Sequence, residues 1–99
     1  MDIDLYIDSV YFGFFPIEEI EERFEEYRES AEEYLDELND DEVIVYAIFK
    51  YEKDSEKILY ANLMTVRLTY DEYAEICRSD NEYRRYFFVR KGNTSNYED

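Results

Sequence analysis

The chain has 99 residues, 45% of them hydrophobic, with 27 acids against 11 bases and a formal net charge of −16. Its length and apolar content suit one small domain with a single core. The charge disfavours direct binding to nucleic acid or to an anionic membrane and points to basic partners. With no His, acid–base or nucleophilic catalysis built on imidazole is excluded. Two glycines, Gly13 and Gly92, cannot make a phosphate-cradling loop. A lone Cys77 excludes an internal disulfide and a thiolate metal site, and it fits a reducing compartment. Asp2 and Asp4 directly after Met1 leave no room for a secretory leader there, and no apolar run reaches membrane-spanning length. A cytoplasmic, non-enzymatic protein with no cofactor and no metal is expected.

In chain order, residues 2–15 read as one strand. Ile3, Leu5 and Ile7 lie on one face, and Asp4, Tyr6 and Asp8 on the other. Gly13 allows a bend or bulge, and Pro16 both ends the strand and can start a helix. Residues 17–38 follow the helical period, with Ile17, Ile20, Phe24, Tyr27, Ala31, Tyr34, Leu35 and Leu38 on one stripe. The other faces are almost all carboxylate, relieved only by Arg23 and Arg28.

Residues 42–51 form the next strand, with Val43, Val45, Ala47, Phe49 and Tyr51 on one face and Ile44, Tyr46 and Ile48 on the other. Residues 52–57 are a polar hairpin loop and 58–68 the third strand. Its apolar residues on both faces suit a central strand, or a sheet whose second face meets a partner or a second copy. Thr69 and Glu72 make a capping box for a helix to about Arg78, with Tyr73, Ala74, Ile76 and Cys77 inward. Residues 85–90 (RYFFVR) are read as a last strand, with a continuation of the helix as the alternative. Residues 1–91 are then one compact domain and 92–99 a polar, frayed C-terminal tail. The order β-α-β-β-α-β predicts an α+β, ferredoxin-like fold: an antiparallel sheet with both helices on one face.

Two weaker constellations carry little. Asp40, Asp41 and Glu42 lack the loop spacing and Gly of a calcium site. Arg84, Arg85, Arg90 and Lys91 beside Tyr86 and Phe87 could meet single-stranded RNA, but pairing with the protein's own acids is the better reading.

The first helix remains. Its like-charged pairs at i,i+4, such as Glu22/Glu26 and Glu29/Glu33, cost a few tenths of a kcal/mol each. From Glu18 to Glu42 there are fourteen acids and two arginines, a net −12. At helical rise this is about 37 Å, or about one net charge per 3 Å. A nucleic-acid strand carries one phosphate per about 3.4 Å. A solvated face that keeps the fold soluble is the plainer reading of the same charge. The sharper one makes Glu18, Glu19, Glu22, Glu25, Glu26, Glu29, Glu32, Glu33, Asp36 and Glu37 a partner-binding face.

With EEIEERFEEYRESAEEYLDEL and the acids at Asp2, Asp4 and Asp8, the chain resembles the nucleic-acid-mimic inhibitors of phages and mobile elements. These include anti-CRISPR and anti-restriction proteins and inhibitors of DNA-repair glycosylases. The resemblance is to a class and rests on about a quarter of the chain. It implies action by occupation and a basic nucleic-acid-binding target in the host cytoplasm, such as a Cas effector or a restriction or repair enzyme. An immunity or antitoxin protein against a basic nuclease is an alternative. So is a structural protein that forms a homodimer through an open sheet face containing Tyr6 and Tyr46.

Overall fold

The computed structural model describes residues 1–91. The expected tail, 92–99, lies outside them. The fold is α+β, with a five-stranded mixed sheet and two helices.

The first surprise for the sequence reading is a hairpin where one long strand was expected. β1 (Asp2–Ile7) turns at Asp8–Ser9 and returns as β2 (Val10–Pro16). Both turn residues have positive φ, 50° and 67°, as the right-handed strand twist demands of a two-residue turn. Asp and Ser tolerate this less readily than Asn-Gly, and a neighbouring strand props the turn. The Ser9 amide donates to the Asn62 side chain, whose Nδ2 donates to the Ser9 hydroxyl, and the Asp8 amide donates to the Leu63 carbonyl. Gly13 does mark a bulge: the β1–β2 register shifts there and its φ is +149°. A Cβ at Gly13 would lie 2.8 Å from the Phe15 ring.

Helix α1 (Ile17–Glu33) starts directly after Pro16 and ends five residues earlier than its apolar stripe predicts. Its last turn holds no basic residue, so nothing favourable meets the helix dipole there. The chain tightens through Tyr34 into a 3₁₀ turn, Leu35–Glu37, and swings Leu38 into the core. Strands β3 (Glu42–Tyr51) and β4 (Ile58–Thr69) pair as the expected hairpin. Helix α2 (Tyr70–Ser79) starts at the predicted capping box, with both reciprocal bonds made by Thr69 and Glu72. β5 (Arg84–Arg90) is a strand, as read.

The sheet order is β2-β1-β4-β3-β5. β1 and β4 are parallel and the other neighbours antiparallel, so the sheet is mixed rather than antiparallel. The ferredoxin-like arrangement also fails in its layers. The connections β2–α1–β3 and β4–α2–β5 step the same way across the sheet, but on strands that point in opposite directions. Right-handed crossovers then require the helices on opposite faces. The packing agrees. Ile20 and Ala31 of α1 join Ile3, Leu5, Ile44, Tyr46, Phe49, Leu63 and Val89 in one core. Tyr73 of α2 joins Val43, Val45, Met64, Tyr86 and Phe88 in another.

A register shift between Val45 and Ala47 accounts for a second departure. It reverses the alternation midway along β3, so Val43, Val45 and Ile48 face α2 while Ile44, Tyr46, Phe49 and Tyr51 face α1. Tyr46 is therefore fully buried beneath α1, and it cannot belong to an open dimer face. Ile76, expected inward, is exposed.

Two buried phenols differ in their partners. The Tyr86 hydroxyl donates to Asp80, whereas the Tyr46 hydroxyl has no hydrogen-bond partner among the described residues. Burial pushes both phenols well above their usual titration range. Tyr86→Phe should cost about 1–3 kcal/mol, because a bond to a carboxylate is lost. Tyr46→Phe should leave stability unchanged or raise it by about 1 kcal/mol, because an unsatisfied polar group is removed. Urea-induced unfolding of the two variants measures both.

Candidate partner-binding face

α1 contacts every strand of the sheet. Its inward residues hold it there through an aromatic cluster: the Phe24 ring lies 5.0 Å from Phe87 and 5.4 Å from both Tyr46 and Phe49. With Ile20, Phe24, Tyr27 and Ala31 turned to the sheet, the helical period directs Glu18, Glu22, Glu29 and Glu33 to the opposite side. These four form an outward ridge and all are exposed. Glu19, Glu25 and Glu26 flank it and are exposed too. Glu32 is half-buried. Asp36 and Glu37 are exposed but lie on the 3₁₀ turn beyond the helix, so the structure separates them from the ridge.

Arg28 reaches Glu25 at 2.6 Å and Glu32 at 2.9 Å. Arg23 turns instead to the Phe12 ring of β2, 5.3 Å from its centroid. Among the described residues no ion pair reaches Glu18, Glu19, Glu22, Glu26, Glu29 or Glu33. Most of the other cations are engaged elsewhere. Lys50 and Arg84 meet Glu82 at 3.0 and 2.6 Å, Arg85 meets Glu56 at 2.8 Å, and Arg78 meets Glu75 at 2.6 Å. Arg90 lies over the Tyr70 ring. The basic cluster of β5 thus serves the protein's own acids and rings. Exposed pairs of this kind contribute about 0–1 kcal/mol each, so their main effect is on where unbalanced charge is left.

Arg67 of β4 closes the far end of the acidic segment. It donates to the Glu37 carbonyl at 2.9 Å and to Glu42 at 2.7 Å. The Arg67 bond holds the Glu42 carboxyl below its usual range, helped by the Asn39 amide. Glu42 is therefore committed to Arg67 rather than to a site with Asp40 and Asp41. Among the described residues no group of three or more acids or Cys is arranged to hold a metal ion.

The second sheet face is only partly covered, since α2 packs on β4 and β3 and its Tyr73 meets Tyr86 and Phe88. Beyond α2 lies a shallow cavity of about 320 Å³ lined by Tyr6, Ser9, Tyr60, Asn62 and Arg84. Tyr6 is the one residue of the expected dimer face that is found there. The sequence reading also missed the outer edge of the sheet. β2 is an edge strand, and Val10, Tyr11, Phe12 and Phe14 are all exposed on it. The signal was the uncharged run VYFGFFP, hidden by reading the hairpin as one strand.

No protein-family model, curated protein or solved structure matches this chain. No helix among the described residues is long and apolar enough to cross a membrane.

The ion pairs set an acid limb of stability. Glu42 and Glu82 titrate below their usual value because Arg67, and Lys50 with Arg84, hydrogen-bond their charged forms. A depressed folded-state pKa gives stability that is present above the unfolded value and lost as pH falls through the folded one. A Glu42→Gln, Glu82→Gln protein should therefore be less stable than wild type at pH 7. It should also lose less on going from about pH 5 to about pH 3. Thermal melts across that interval would show parallel curves if neither pair matters.

Proposed function

We propose that the protein is a non-enzymatic inhibitor that mimics nucleic acid and blocks the basic DNA- or RNA-binding surface of a host defence or nucleic-acid-processing protein. The observation that carries this reading is the outward ridge of α1. Nine acids against two arginines on the helix give a net −7. At helical rise the seventeen residues are about 25 Å long, or about one net charge per 3.6 Å, close to the about 3.4 Å phosphate interval of a strand. The ridge is held firmly, because the opposite face of the helix is packed on the sheet, and among the described residues the protein's own cations leave it unpaired.

A cleft shaped for a phosphate backbone would receive these carboxylates with its Lys and Arg. The charge would raise the association rate more than it deepens affinity. A Cas effector, restriction enzyme or repair glycosylase supplies such a cleft, and the site of action is then the host cytoplasm. A basic nuclease toxin fits the same electrostatics, which keeps an immunity protein as the second reading.

Two outcomes are expected with purified candidate targets. Binding should weaken about tenfold or more between about 50 and about 200 mM salt, and duplex DNA should displace the protein; a ternary complex with DNA still bound would rule out mimicry. Replacing Glu18, Glu22, Glu29 and Glu33 by Lys should abolish inhibition while circular dichroism stays unchanged. Full inhibition by that variant would exclude this face.

A further inference from the structure

We infer that the outer edge of β2 is a strand-docking site for an extended segment of a basic protein, in which apolar residues alternate with Lys or Arg. This rests on the inhibitor reading above and names the segment that the target would supply.

The edge is unpaired among the described residues, because β2 ends the sheet. Its side chains are apolar and exposed: Val10 69%, Tyr11 55%, Phe12 51% and Phe14 61%. Proteins usually guard such an edge with charge, since free backbone N–H and C=O groups invite another strand. The opposite edge follows that rule, with Arg84, Arg85 and Arg90 along β5. β2 has no charged residue at all.

The surroundings decide the occupant. Asp8 stands at one end of β2, and Glu18 and Glu19 follow its other end. Asp2 and Asp4 lie across from Pro16 and Phe14 on β1. A second copy paired antiparallel through this edge would set Asp8 of one molecule against Glu18 and Glu19 of the other, acid on acid at both ends. A cationic segment meets the opposite sign at both ends. The position also answers a need of the α1 ridge. Exposed ion pairs contribute little affinity, and interfaces draw theirs from buried aromatic anchors. β2 leads straight into α1, and Arg23 of α1 sits over Phe12, so the anchors adjoin the carboxylates.

The test is an isotope-labelled titration of the whole protein at low salt with two peptides as long as β2, one alternating lysine and valine, the other lysine and serine. The valine peptide should bind at least tenfold more tightly than the serine peptide. It should also protect amides of Val10–Phe15 from hydrogen exchange, whereas the serine peptide moves α1 amides only. Val10→Ser with Phe14→Ser, both at exposed positions, should remove the difference between the peptides and leave the α1 response intact. Equal binding of the two peptides overturns the docking site, as does β2 protection that appears without peptide and grows with protein concentration, the mark of a second copy. The mimicry reading fails separately, on an α1 that responds to neither peptide.

Discussion

The packing of one helix against one sheet face carries this structure. α1 is a poor helix on its own: five Glu pairs at i,i+4 oppose it by about 1–2 kcal/mol in all. Its C-terminal turn has no cation. Burial of Ile20 and Phe24 alone offsets that, at about 1.5–3 kcal/mol for each large apolar side chain taken from water. The aromatic cluster of Phe24, Tyr46, Phe49 and Phe87 is thus what permits a carboxylate ridge to exist. The ridge inherits the rigidity of the core beneath it.

The sheet's topology follows from the hairpin at Asp8–Ser9. By adding β2 on the outside of β1, the chain leaves for α1 from a strand running opposite to β1. The crossover then lands on the far side of β4, and handedness assigns α1 and α2 to opposite faces. The longer helix, seventeen residues against ten, reaches across all the strands, and the shorter one leaves part of its face open. The two edges are also unlike. β5 is lined with arginines that serve internal acids, and β2 is uncharged and exposed. Charge is therefore distributed in a way the total of −16 does not reveal. Most cations are drawn to β4, β5 and their neighbours, and the acids of α1 are left unbalanced.

Much of this was legible in the residues because it is local. The period of three and four fixes which side of α1 is apolar and hence which acids face out. Thr69 and Glu72 fix where α2 begins. These depend on neighbours a few residues apart, whose geometry the backbone sets. The two-residue turn was not legible, because Asp-Ser favours positive φ only weakly and its support comes from Asn62, far along the chain. Nor was the parity of β3 beyond Val45, since a bulge is decided by what both neighbouring strands must pack.

The sequence by itself determined the composition of the faces: an acidic, His-free, single-cysteine chain with one long amphipathic helix. Only the tertiary structure decided which strands lie at the edges, which face each helix covers and where each arginine is spent. Those depend on strand direction, crossover handedness and long-range ion pairs, which bring together residues that no window along the chain contains.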